Sequence, residues 1–304
     1  MLRYVDLVQN TRRFLALTGY TVDEFRALLS FFIVRFQGDV SMYTLEGKPR
    51  QNRTYSDYKN GSLPTMEDTL LFLLSSLKTM HLQETHGQLF GMRPSQVNQW
   101  IHLLLPIVNH ALADCGALPA RQMEDLDLDE DKAGLFFHDG TERAINRPQD
   151  PEDQTLSDSG KQKQHTVKHD VLIDETCTIR FVTETVEGKK HEKKLADESG
   201  YRVPEGSVLA QDAGFQGFRL EGVAILQPTK KPRGGELSYA EKLRNRLIAS
   251  LRVRIEHAIG GVKRSRIVKD QLRNWKAGFR DLVFETCCGL HNFRLHITLG
   301  VSGG

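Results

Sequence analysis

An all-α N-terminal region followed by a mixed α/β domain is the fold class predicted by this 304-residue sequence. Three observations predict it. Apolar residues recur at helical spacing through the first third; a strongly acidic stretch interrupts the pattern at 119–132; beyond it, short β-rich runs alternate with helical ones. The expected boundaries are a helical domain at 1–118, an acidic linker at 119–132 and an α/β domain at 133–304.

The bulk composition narrows the class. Hydrophobic residues make up 39% and charged residues 26%, an ordinary soluble balance in a chain long enough for two cores. No apolar run approaches the ~18 residues of a membrane span, so no membrane partner is expected. The opening MLRYVDLVQNTRRF lacks the apolar core of a secretory signal. Cys115, Cys177, Cys287 and Cys288 form no CxxC pair or zinc-ligand spacing, which points to a reducing, cytoplasmic compartment.

The helical elements come first. Thr21 with Glu24 three residues on forms a capping box ahead of Phe25, Leu28, Leu29 and Phe32. Residues 47–61 are polar and bounded by glycine, a surface loop. Thr65 caps an apolar helix through Leu70, Leu71, Leu73, Leu74 and Leu77. A turn at Gly91-Met92-Arg93 then leads into a helix opened by Pro94. Val97, Ile101, Leu104, Leu105 and Val108 form one face of it, and Ser95, Asn98, Gln99 and His102 the opposite one. Short amide and hydroxyl groups at the start of a turn-preceded helix suit base-edge reading in a DNA major groove; a solvated face of a helical bundle is the other reading.

After the acidic stretch, Leu135-Phe136-Phe137 is a strand running into HDGTER. The polar segment NRPQDPEDQTLSDSGKQKQ is expected to hold no packed element. His165–Ile173 and Thr178–Val186 are expected to pair as a hairpin across Asp174-Glu175-Thr176. A short helix near 191–199, strands at 207–210 and 223–226, a basic helix and a last amphipathic helix near 281–296 complete the order. The Gly-rich tail is expected to be disordered.

Three acids stand out by position. Asp139 and Asp212 each follow a hydrophobic strand and precede a small residue or glycine, where ligands gather in α/β sheets. Glu256 lies in the basic helix, beside the stripe Leu243, Leu247, Leu251, Ile255, Ala258 and Val262, which is expected to be buried. From Thr229 to Arg280 there are 15 Lys and Arg against 4 Asp and Glu, whereas the whole chain is +2, so this segment faces a polyanion. If the three acids converge, their oxygens suit Mg²⁺ or Mn²⁺ rather than zinc. Taken singly, the aspartates could be turn formers and the glutamate an intrahelical ion-pair partner, and both readings stand on spacing alone.

The strings HDGTER, SGKQKQHTVK, LAQDAGFQG and RVRIEHAIGGVKR, in that order, resemble the catalytic domain of bacterial insertion-sequence transposases of the DDE superfamily, akin to Harbinger-type endonucleases. The resemblance implies an RNase H-like fold with the first Asp on the first strand, the second after the fourth, and the Glu on a following helix. These are Asp139, Asp212 and Glu256. It also implies cleavage of transposon ends and transfer of the freed 3′-hydroxyl into target DNA, with two Mg²⁺ or Mn²⁺ ions per site. The implied partners are double-stranded DNA and a second copy or more of the chain, at the bacterial nucleoid. Leu82 to Asn109 looks like the helix–turn–helix that precedes the domain in such proteins, so Ser95, Asn98, Gln99 and His102 are its expected base readers. Arg252, Lys263, Arg264 and Arg266 are the expected phosphate contacts, and Lys161, Lys163, His165 and Lys168, around a strand beside Asp139, are either further DNA contacts or a solvated rim. His138 and His257 adjoin acids, as structural hydrogen-bonding groups or as proton carriers. After the third strand, where the family tends to have His-Asp, this chain has His191 and Glu192. A non-catalytic DNA-binding descendant and an endonuclease that cuts without joining are the competing readings; three retained acids weigh against the first.

Overall fold

The computed structural model describes residues 1–44, 48–50, 61–232, 234–274 and 276–300. Residues 47 and 51–60 of the expected polar loop, Trp275 and the glycine tail lie outside them. The chain divides into two compact units: a helical one comprising Met1–Leu118, Val262–Asp270 and the C-terminal helix, and a sheet-containing one of Pro119–Gly261 and Gln271–Asn274.

The helical unit contains α1 (Tyr4–Leu7), α2 (Thr11–Thr18), α3 (Val22–Met42), α4 (Met66–Thr79), α5 (Gln83–Phe90) and α6 (Pro94–Asp114), and later in the chain α10 (Arg266–Lys269) and α11 (Phe279–Leu299). Both expected caps form. Thr21 and Glu24 close a reciprocal capping box on α3, and Thr65 accepts from the Asp68 N–H on α4. Each cap is worth about 1 kcal/mol. The core is aromatic and leucine-rich, with Phe14, Phe25, Phe32, Phe72, Leu28 and Leu70 fully buried.

Sequence order places α11 with the sheet, but its buried face packs in the helical unit. Val283, Phe284, Cys287, Cys288 and Phe293 are buried there. The Tyr20 hydroxyl donates to the Leu290 carbonyl at 2.6 Å, Asn292 donates to the Ala117 carbonyl, and Arg294 pairs with Glu24 at 3.1 Å. These partners lie up to 270 positions apart, so no local pattern could have announced them.

Helices α5 and α6 are joined by Gly91-Met92-Arg93, with Gly91 at φ 68. The Met92 N–H donates to the Gly87 carbonyl, and the chain passes so close to Gly87 that an added Cβ would overlap the Met92 carbonyl oxygen. Gly87→Ala should therefore force the turn open and cost about 1–3 kcal/mol, read as a lower melting temperature of the helical signal.

The sheet unit is built on two long strands, β1 (Leu135–Ala144) and β3 (Gln164–Asp174), antiparallel along most of their length. On the other edge of β3 lie β4 (Ile179–Val182) and β5 (Val186–Glu187), and β2 (Asp158–Ser159) pairs its first residues. On the other side of β1, β6 (Val208–Gln211) and then β7 (Ala224–Leu226) run parallel to it. The β3–β4 hairpin forms where expected. The Asp174 carboxylate accepts from the N–H groups of Thr176 and Thr178, with Cys177 at φ 68. Its second arm is interrupted, so 178–186 becomes two short strands rather than one. A packed core of Phe136, Leu172, Phe181, Leu209, Phe215 and Phe218 lies against the sheet.

Three expectations are corrected in this unit. The proline-containing loop holds α7 (Pro151–Ser157), because Pro151 stands at its first turn and Asp150 caps the N–H groups of Glu152 and Asp153. The acidic stretch is not a bare linker. Met123, Leu126 and Leu128 pack against the core, and Ala120 bonds the backbone of Arg180 and Val182. Alternating acids mask those apolar contacts in a composition count. In α9 (Tyr239–Val262) the expected buried stripe holds only in its second half, where Ile255, Ala258 and Val262 are buried with Ile248. Leu243 and Leu247 are 48% and 61% exposed. Periodicity identifies an apolar stripe but not whether anything covers it.

Candidate active site

The register of two parallel strands brings the first two acids together. His138 on β1 pairs with Gln211 on β6, so Asp139 on β1 and Asp212 just past the end of β6 each follow a member of that pair. Asp139 accepts the N–H of Gly140 at 2.9 Å. Asp212 follows β6 and caps the short turn Ala213–Phe215, accepting the N–H of Gly214. Burial pushes the Asp139 pKa up from 3.8 to about 6, Arg252 pulls it back, and the charges of Asp212 and Glu192 raise it further. A carboxyl shifted this far, on β1 beside the end of β6, is a functional-site signature.

Helix α9 delivers Arg252, not Glu256, to these aspartates. The Arg252 guanidinium lies 3.6 Å from the Asp212 carboxylate. Glu256, one turn further along, is exposed and is not among the charges that chiefly shift Asp139. Arg252, expected as a phosphate contact, is thus also the counter-ion of both aspartates. As folded, no three His, Cys, Asp or Glu side chains among the described residues are gathered tightly enough to enclose a metal ion.

A fourth acid occupies the place expected for the third. Glu192 opens α8 (Glu192–Glu198), and its side chain is only 14% exposed. Its carboxylate lies where a Cβ on Gly214 would stand, and its Cγ is 3.5 Å from where one on Gly140 would be. Gly140, next to Asp139, and Gly214, two residues after Asp212, therefore leave room for a carboxylate from α8. Lys161 pairs with Glu192 at 3.3 Å. Sequence reasoning missed Glu192; the available signal was an acid standing where the resembling family tends to have aspartate.

Behind the acids, the wholly buried His138 places Nε2 3.2 Å from Asp170 Oδ2, with its ring packed among Tyr201, Phe215 and Phe218. Its complete burial and its contact with Asp170 favour the structural hydrogen-bonding reading of His138. Asp170 is 1% exposed and its pKa is raised by burial. His257, by contrast, is exposed.

The remaining expected residues are dispersed. Lys163 is exposed at a turn with φ 53. Lys168, further along on β3, is buried and paired with Glu142 at 3.1 Å, which removes it from any DNA-facing rim. Lys263, Arg264 and Arg266 belong to the helical unit. There the Arg264 carbonyl accepts from Lys78, and Arg266 pairs with Asp270 at 2.7 Å. On α6, Ser95 and Gln99 are exposed and Asn98 accepts from Gln83 at 3.0 Å. The His102 ring stands edge-on to Phe279 at 5.0 Å, and burial with Lys276 nearby lowers its pKa.

Residues 138–292 match the family model described as DDE superfamily endonuclease, a stretch containing Asp139, Glu192, Asp212 and Glu256. Over 161 residues the chain is 29% identical to a protein of Microchaete diplosiphon described as a probable transposase for insertion sequence element IS702. That similarity covers 53% of this chain and 57% of the relative, so the chain spans little more than half of the protein it matches. No solved structure matches it. No helix among the described residues is long and apolar enough to cross a membrane.

Proposed function

This chain belongs to the DDE superfamily of endonucleases, and from that premise we propose that it is a DNA transposase that cuts the ends of its element and joins the freed 3′-hydroxyl to target DNA. The observation that carries the reading is the placement of Asp139 on β1 and Asp212 directly after the parallel strand β6, each following a paired residue, with the Asp139 pKa raised to about 6. The RNase H-like assignment is supported by Asp139 on the first strand, by Asp212 after the fourth strand of four residues or more, and by Glu256 on the helix that follows.

Asp139, Asp212 and Glu256 are the residues we assign to hold Mg²⁺ or Mn²⁺, two ions per site. The donor chemistry fits a hard dication, since every candidate ligand is a carboxylate oxygen. Glu256 is assigned by its place in the motif, one turn along α9 from Arg252, which lies 3.6 Å from Asp212. When bound, such ions activate a water or a 3′-hydroxyl and stabilise the leaving oxygen of an in-line displacement. The chain's own contribution is to place the acids and the phosphate. Strand register aligns Asp139 with Asp212, and Arg252 offsets their charge. Lys161 and Lys163 stand exposed on the segment leading into β3, where a DNA backbone would be gripped. In the helical unit, α5 and α6 would serve as a helix–turn–helix with Ser95, Asn98, Gln99 and His102 toward the bases. Lys263, Arg264 and Arg266 would hold phosphates there. Two ends brought together imply a dimer or larger assembly on DNA.

The test is an oligonucleotide bearing the element's end, incubated with the protein and Mg²⁺. Cutting followed by joining is the expected result. Binding without cutting would favour a non-catalytic descendant, and cutting without joining an endonuclease. Because several phosphates are contacted, binding should weaken steeply as salt rises, by a slope of about −0.9 per phosphate neutralised on a log–log plot. A flat response, measured by fluorescence anisotropy, would remove the basic residues from the interface.

A further inference from the structure

We propose that Glu192 is a working acid of this site, supplying a carboxylate to the same cation as Asp139 and Asp212; the proposal rests on the metal-dependent reading above. Three independent features meet at this residue. First, both glycines that follow the aspartates open onto it. A side chain at Gly214 would occupy the space of the Glu192 carboxylate, and one at Gly140 would lie 3.5 Å from its Cγ. Second, Glu192 reaches this place from α8, outside the strands that carry the aspartates, so its position is not a by-product of their register. Third, Asp170 stands directly across from Gly140 in the β1–β3 ladder, and its buried Oδ1 has no hydrogen-bond partner. That oxygen lies 3.1 Å from where a Gly140 Cβ would be, on the side Glu192 occupies. Two acids thus face one another over a glycine, one of them 1% exposed and with an oxygen left for a ligand, beside the carboxylates of Asp139 and Asp212. The nearby Lys161 amine and Arg252 guanidinium are held at the rim of this group, against Glu192 and Asp212 respectively. A dication is the chemical class that such a group of acids recruits.

The experiment is direct Mn²⁺ binding to the full chain, followed by the loss of the free-ion signal in electron paramagnetic resonance. The variants are Asp139→Asn, Asp212→Asn, Glu192→Gln, Glu192→Asp and Gly214→Ala. Glu192→Gln is expected to weaken Mn²⁺ binding by roughly 10–100-fold, as loss of a supporting or ligating group does, with Glu192→Asp recovering part of it. Should Glu192→Gln fail to fold, Gly214→Ala carries the test. It retains every carboxylate and an ordinary backbone conformation but places a methyl where that of Glu192 lies, and it should weaken binding similarly. Weakened binding in the aspartate variants with wild-type affinity in the folded Glu192→Gln protein overturns the proposal and leaves the metal-dependent reading standing. No saturable Mn²⁺ binding by the wild-type chain overturns both.

Discussion

Glu256→Gln is expected to lower the rate of cutting at an element's end by at least about 10³-fold, the scale on which catalytic groups acting as a set fail when one is removed. DNA binding and the melting temperature should be unchanged. The physical grounds are its setting on α9. It is exposed, and no core contact is lost with its charge. Gln keeps the side-chain length and helix propensity while removing the anionic oxygen. The ion-pair reading of this residue predicts a different result, a small stability loss with cutting intact. Side-by-side gel assays of cutting and binding distinguish the two. Retained cutting would take Glu256 out of the site and leave the acids of the sheet and α8 to act without it.

Asp139→Asn is expected to stabilise the fold at pH 8 while abolishing cutting. The sign follows from the direction of the shift. Burial raises the Asp139 pKa from 3.8 to about 6, so the folded state prefers the protonated carboxyl. Ionising it therefore costs folding free energy. The cost is absent below about pH 4, grows between about pH 4 and pH 6, and is full above that. A shift of this size corresponds to roughly 1–3 kcal/mol once partial exposure and the nearby guanidinium are allowed for. The variant should melt higher than the wild type at pH 8, and the two should converge near pH 4. A wild-type-like melting temperature at both pH values would mean that Asp139 is ordinarily solvated. The trade of stability for a charged site is the usual one in catalytic clefts.

The two predictions touch residues legible from sequence for different reasons. Asp139 and Asp212 could be found because a hydrophobic run ending in Asp followed by a small residue is a local pattern, and Glu256 because an acid is conspicuous in a basic helix. Their motifs, in order, also carried the family resemblance that the match over 138–292 bears out. Caps were equally legible. Thr21 with Glu24, Thr65, and the Asp174 turn all act within four residues, so identity and spacing suffice to specify them. Even the missed α7 had a local signature, Asp150-Pro151, read as a breaker when it is a start.

What this chain's sequence determined by itself was therefore the capped helices α3 and α4, the β3–β4 hairpin, and the acids worth asking about. The tertiary structure alone decided which charges share a site. It set Arg252 against Asp212, brought Glu192 over the glycines that follow both aspartates, buried Lys168 on Glu142, and drew α11 into the helical unit. The reason is the range of the interactions. Caps, turns and periodicity are short-range consequences of backbone geometry. A pairing between distant groups depends on strand register and on which face finds an apolar surface to cover, and both are settled only when the whole core packs.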